Sequence, residues 1–170
     1  MEYSELIAVR YSVRAYRPDP VEDDKLQAVL EAARQAPSAC NRQPFQVVVL
    51  HTAGREEEIG QIYRRPWFVQ APIVLAVCAI PSQAWVRASD RFNAAVVDAT
   101  IAMDHLILAA ANLGLGTCWI AAFEIEAARR VLQLPEGVEP VLFTPLGYPA
   151  DPPRPRARKP LSGIVRYERW

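Results

Sequence analysis

The sequence predicts one domain, residues 1–170, in which helices and short strands share a single core. Three observations lead there. The chain has 170 residues, 51% of them apolar, which is enough for one sizeable core and too apolar for disorder. Two stretches, Asp23–Ala36 and Asn93–Leu113, read as helices from the placing of their apolar residues. Around them lie short apolar runs of strand length, "QVVVL", "PIVLAVCAI", "TCWIAAF" and "PVLFTPLGY".

In chain order, Ser4–Val9 predicts a short helix that breaks into "RYSVRAYRPDP". Asp23–Ala36 carries Leu26, Val29, Leu30 and Ala33 at helical spacing, with acidic residues at its start and Pro37 at its end. A polar loop follows, "PSACNRQP", and then a strand over Gln46–Leu50. "REEEIGQIY" predicts a short surface helix, and Pro72–Ile80 a second strand. Asn93–Leu113 is apolar nearly all round, so it should be central and covered on several sides, with Gly114 and Gly116 ending it. "TCWIAAF" is a third strand, "EIEAARRVLQL" a helix and "PVLFTPLGY" a fourth strand. Five prolines and four cationic residues then crowd into "PADPPRPRARKP". That composition predicts an extended arm over 149–170, closed by the apolar tail "LSGIVRYERW". No internal repeat or second domain is visible.

Charge excludes several functions. Lys plus Arg and Asp plus Glu both number 19, so no global field recruits nucleic acid or an acidic membrane, and neither is expected as a partner. The start "MEYSELIAVRYSVR" lacks the basic-then-apolar order of a secretion signal. Ala94–Gly114 contains Asp98, Asp104, His105 and Asn112, which suits a buried helix better than a bilayer span. The three cysteines are an odd count without close pairing, and Cys78 and Cys118 sit in strand-like runs. A reducing, cytoplasmic setting is the expectation.

The acids and bases of ordinary hydrolysis are not assembled. The two histidines, His51 and His105, lack metal-ligand spacing, and Asp104 and His105 point to different helix faces. "GLG" at Gly114 follows a helix instead of opening one, against a dinucleotide fingerprint. No catalytic side chain and no metal ligand is assigned. Two basic clusters remain. If "RYSVR" is extended, Arg10, Ser12 and Arg14 share a face, and two guanidiniums with a hydroxyl suit a phosphate. The same pattern also reads as a solvated basic turn. Arg154, Arg156, Arg158 and Lys159 form the second cluster, which reads as a solvated arm unless it converges with the first. Cys40 has Arg42 nearby but no evident base, so a loop residue without chemistry outweighs a nucleophile. Ala121 and Ala122 would let a backbone approach a flat ligand closely.

Taken together, four stretches resemble the FMN-dependent nitroreductase family, in its compact members. "RYSVRAYRPDPV" resembles the opening arginine–serine–arginine motif, and "EAARQAPSACNRQPFQVVVL" the helix, Pro-Ser loop, Asn-x-Gln-Pro-aromatic turn and strand. "DATIAMDHLILAAANLGLGTCWIAAF" resembles the central helix and following strand, and "LGYPADPPRPRARKPLSGIVRYERW" the C-terminal arm. The match runs almost end to end.

The resemblance implies an α+β fold: a mostly antiparallel central sheet flanked by helices, in an intertwined homodimer with exchanged C-terminal arms. It implies that Arg10, Ser12 and Arg14 hold the phosphate of FMN, with Tyr11 counted among them at a position where the motif varies. Arg156 and Arg158 would return from the arm to that phosphate and the flavin's polar edge. Trp119, Ile120, Ala121 and Ala122 would lie along the ring. Pro37, Ser38, Ala39 and Asn41 would contact the FMN of the partner subunit. The activity implied is hydride transfer from NAD(P)H through FMN to a small-molecule acceptor: a nitroaromatic, quinone or activated alkene. Rival readings are a flavin enzyme of another purpose (dehalogenation, oxidation of reduced flavin), a non-catalytic FMN carrier, and a hydrolase using Cys40. Cys40 stands where a small residue is common, and the chain lacks the helical excursion that covers the site in larger members.

Overall fold

In the computed structural model, which describes residues 1–153 and 156–170, the chain forms α1 (Tyr3–Val9), α2 (Asp23–Arg34), β1 (Phe45–His51), α3 (Glu56–Gly60), β2 (Ile73–Ala79), α4 (Ala95–Asn112), β3 (Gly116–Thr117), α5 (Ile125–Leu132) and β4 (Glu139–Gly147). Arg154, counted above in the arm's basic cluster, lies outside the described residues.

The strands make one sheet in the order β1-β2-β4-β3, each neighbouring pair antiparallel. β2 shows why it is central. All seven of its residues are buried. Ile73, Leu75, Val77 and Ala79 join the core with α2 and α4, whereas Val74, Ala76 and Cys78 join Leu50, Ile62, Phe68 and the α5 residues Ala128 and Val131. Side chains alternate between the faces of a strand, so a run that is apolar at every position needs cover on both. Burial also pushes the Cys78 thiol up to about 11, which leaves it inert at neutral pH.

Three elements depart from the sequence reading. α2 ends at Arg34, two residues short of Ala36, because a residue preceding proline is disfavoured in helical backbone. α4 carries Ala99, Ala102, Met103, Leu106 and Ala110 fully buried against α2 and the sheet, but one side stays open, with Val96 51% and Val97 45% exposed. By length and composition alone α4 could cross a membrane; its place is the core between α2 and the sheet.

"TCWIAAF" is not a continuous strand: β3 stops at Thr117 and the ladder resumes only at Ile120, which exchanges hydrogen bonds with Phe143 (2.9 and 3.0 Å). The register is unchanged across the gap, so Cys118 stands opposite Pro145, which has no N–H to give. The Thr144 hydroxyl fills in, accepting from Cys118 N–H (3.0 Å) and donating to the Pro145 carbonyl (2.9 Å).

Among the described residues beyond Tyr148 the chain forms no α-helix or strand, as its prolines predict; a 3-10 turn covers Leu161–Gly163 and a bend falls at Tyr167 and Glu168. Leu161, Ile164, Tyr167 and Trp170 along it are all exposed.

Candidate active site

The Arg10–Arg14 segment is clamped on two edges. Ser12 bridges Thr117 in parallel, and Val13 N–H donates to Thr117 O (2.9 Å). The arm holds the other edge: Ala150 N–H donates to Ala15 O (2.8 Å), and Arg17 N–H to Tyr148 O (2.9 Å). Val13 is buried and packs directly on Gly116, where any Cβ would fall 2.7 Å from Val13 Cγ2.

An extended segment with Val13 turned inward puts Arg10, Ser12 and Arg14 on the opposite side. They meet over Cys118. Burial pushes that thiol up, while Arg14, the Ser12 hydroxyl and Arg10 each pull it back down. The arm adds to the cluster, since Arg156 Nη2 donates to Ala8 O (3.1 Å) at the end of α1. Arg10 is half-buried there. Burial first, then Arg156 and Arg158, push its guanidinium below the ordinary arginine range, against the opposing pull of Asp104.

Asp151 latches arm to segment. Its Oδ2 accepts from Arg14 N–H (3.2 Å) and its carbonyl from the Tyr11 hydroxyl. Burial and the Asp151 carboxylate together raise the Tyr11 phenol. A cavity of about 250 Å³ opens beside Arg10 and Tyr11, between Ala111, Leu115, Gly116 and Pro153. Following β3, Trp119 is half-buried against the α2–α4 core and Ile120 is buried, whereas Ala121 and Ala122 are exposed.

The Pro37–Asn41 loop is a built object. Cys40, Asn41 and Gln43 all sit at positive φ (52°, 54° and 51°), a region costing non-glycine residues about 1 kcal/mol or more each. Its surroundings hold it there. Ser38 Oγ accepts from Gln43 N–H (2.9 Å), Gln43 Nε2 donates to Asn41 O (2.9 Å), and Arg42 Nη1 donates to Ala84 O (2.9 Å). Ala39 N–H donates to Asp98 Oδ1 (3.0 Å). Asp98 is 2% exposed, and its Oδ2 has no partner among the described residues. The sequence reading missed Asp98 beneath this loop, and Cys118 and Asp151 at the arginine cluster. An acid in the first turn of an otherwise apolar helix was the one signal that could have found Asp98.

Cys40 itself is exposed on this loop. His51 ends β1 far from Phe45, and His105 lies about two helical turns along α4 from Asp98, so neither stands beside the thiol as a base. Cys40→Ser should therefore leave turnover within about threefold of wild type. Steady-state rates check this; complete loss of turnover in protein that is still folded would assign the thiol a chemical role.

Within one chain the structure gathers Arg10, Tyr11, Ser12, Arg14, Arg156 and Arg158, with Trp119–Ala122 continuing from them. It does not bring Pro37–Asn41 to the same place. The loop meets α4 at Asp98 and the arginine cavity meets it at Ala111, roughly 20 Å further along the helix.

A model of the nitroreductase family matches residues 7–65 and 56–148, which takes in the arginine segment, the loop, α4 and β4. The chain belongs to the nitroreductase family. The crystal structure of a nitroreductase family protein from Clostridium difficile 630 superimposes with a TM-score of 0.92 at 32% identity, covering 100% of both chains. Among curated relatives, an FMN reductase [NAD(P)H] of Bacillus subtilis is 30% identical over 94% of this chain and 70% of its own. An NADH dehydrogenase of Thermus thermophilus is 30% identical over 92% of this chain and 91% of its own. By family the chain is an NAD(P)H-dependent oxidoreductase, and its mostly antiparallel sheet flanked by helices is the family's fold.

Proposed function

We propose that the chain binds FMN at the arginine cluster and passes hydride from NAD(P)H to a small acceptor such as a nitroaromatic, quinone or activated alkene. One observation carries this reading. Half-buried Arg10 feels the positive charges of Arg156 and Arg158, opposed by Asp104, and a dianionic phosphate would relieve that burden. Ser12 adds a neutral hydroxyl donor and Arg14 a further cation on the same side.

The fit to FMN extends beyond its phosphate. From Thr117 the chain keeps its register to Ile120 and then exposes Ala121 and Ala122, whose short side chains leave the backbone open to a flat ring. Bound there, FMN supplies the electron chemistry that the protein's side chains do not. The protein's own contribution is charge and position. Arg10, Ser12 and Arg14 anchor the phosphate, Arg156 and Arg158 add positive potential from the arm, and the β3 extension supports the ring.

The working unit in this reading is a homodimer. A two-fold axis that packs the open side of α4 against its own copy, antiparallel, covers Val96 and Val97. It also carries the Pro37–Asn41 loop of one chain to the arginine end of the other. The exposed tail from Leu161 to Trp170 suits exchange onto the partner.

Purified protein should be yellow, bleached by NAD(P)H and re-coloured by a nitroaromatic or quinone. Arg10→Ala weakens FMN binding by about tenfold or more, because a charge-assisted bond is lost. Riboflavin, which lacks the phosphate, binds wild type poorly and loses little on the same substitution. Equal losses for both flavins, read by fluorescence titration, would remove the phosphate assignment.

A further inference from the structure

A second cavity, of about 240 Å³, opens beside Ala122, walled by Tyr63, Arg64, Arg65, Ala122, Phe123 and Glu124. Its aromatic walls are held in place. The Tyr63 ring stands edge-on to Trp67 (centroids 5.5 Å apart, planes at 70°) and to Phe68 (5.6 Å, 80°), and Phe123 stands edge-on to Phe143 (4.8 Å, 68°). Glu124 N–H donates to Ile62 O (2.9 Å), tying the two walls together. Trp67 also packs with Tyr11 against the cluster of Val13, Tyr16 and Ala71. The wall carrying Arg64 and Arg65 thus runs from beside Tyr11 to Ala122.

Arg64 and Arg65 are exposed, and among the described residues neither guanidinium has a salt-bridge or hydrogen-bond partner. Glu124 is the one acid in the lining, so two guanidiniums against one carboxylate leave the mouth cationic. The flavin phosphate already has Arg10 and Arg14, about 16 Å of extended chain away between Thr117 and Ala122.

We propose that this cavity is a substrate subsite for an anionic group carried beside a planar ring. Tyr63 and Phe123 take the ring, and Arg64 and Arg65 take the phosphate or carboxylate. The subsite rests on the reading above, in which Ala122 borders the flavin. Two sources share the chemistry: the phosphates of the nicotinamide dinucleotide, and the carboxylate of an acidic nitroaromatic acceptor.

Equilibrium titrations of FMN-loaded protein with NADP⁺, 4-nitrobenzoate and neutral 4-nitrobenzamide separate them. The Arg64→Ala/Arg65→Ala double variant should weaken at least one anion by about tenfold or more, while 4-nitrobenzamide stays within about twofold and FMN content is unchanged. The anion that responds names the source. Both anions binding as in wild type, with FMN retained, overturns the subsite. Loss of FMN in place of the anions also overturns it, by assigning the arginines to the flavin. A wild type that takes up no FMN defeats the proposed function instead. Calorimetry on the flavin-free protein then decides the cavity alone: weaker anion binding in the double variant supports it, and unchanged binding ends it.

Discussion

Replacing Gly116 with valine should push the Arg10–Arg14 segment off β3 and, with it, abolish the FMN binding proposed for that segment. The cause is contact and not backbone freedom. Even a bare Cβ would meet Val13 Cγ2 at 2.7 Å and Val13 Cβ and Cγ1 at 3.0 Å, and Val13 is a branched, buried side chain without a flexible end to swing aside. Val13 cannot retreat without lengthening its hydrogen bond to Thr117 O. Overpacking of this kind costs about 1–3 kcal/mol, a fall in melting temperature of several degrees for a domain of this size. The functional loss should be larger than the loss in stability, since Arg10, Ser12 and Arg14 ride on the displaced segment together. FMN affinity should drop by more than about tenfold, the worth of one charge-assisted bond, in protein that is still folded. Gly116→Ala combined with Val13→Ala removes the Cγ contacts and keeps only the 3.0 Å approach to Cβ, so it should recover part of the binding. Thermal melts and flavin titrations on the three proteins check this. A Gly116→Val protein that keeps wild-type flavin affinity would show that the segment's seat on β3 does not position the anchor.

Much of this was legible because local pattern and tertiary role agree. The unbroken apolar run of Ile73–Ala79 states that both faces of its strand are covered, and they are. Pro37, Gly114 and the proline-rich arm stop or extend the chain where their backbone chemistry requires. The alternation of Arg10, Ser12 and Arg14 was readable, but its meaning depended on a parallel bridge to Thr117 more than a hundred residues away, which no local signal encodes. "TCWIAAF" misled for a similar reason: its own residues favour a strand, and the break comes from Pro145 on the neighbouring strand. The left-handed Cys40, Asn41 and Gln43 carry no glycine signature, because the bonds that Ser38 Oγ and Asp98 accept and that Arg42 donates hold the loop where its residues' own preferences would not. The sequence of α4 reads as a central helix covered on several sides, and Val96 and Val97 stay open in the single chain. A single chain lacks the second surface that would wrap them.

That second surface makes a sharper expectation about the site. If the dimer axis brings the Pro37–Asn41 loop of one chain to the arginine end of the other, each flavin site draws on two chains, and defects placed on opposite contributions should complement. Arg14→Glu puts a carboxylate where the phosphate belongs. Ser38→Trp fills the loop with bulk and removes the oxygen that accepts from Gln43 N–H. Each variant alone should be nearly flavin-free. In a heterodimer of the two, one site takes both substitutions together, and the other takes wild-type Arg14 with wild-type Ser38. Random assortment makes about half the dimers mixed, so roughly a quarter of all sites should regain FMN. The chains must be co-expressed or refolded together, because an intertwined dimer exchanges subunits slowly once folded. Two affinity tags isolate the mixed species, in which flavin content and NAD(P)H-driven turnover should recover in parallel to about half the wild-type value per dimer. Verified heterodimers that stay colourless beside a yellow wild type would place the whole site within one chain. The buried Asp98, with its hold on Ala39, would then serve the fold of the loop and not the neighbour's flavin.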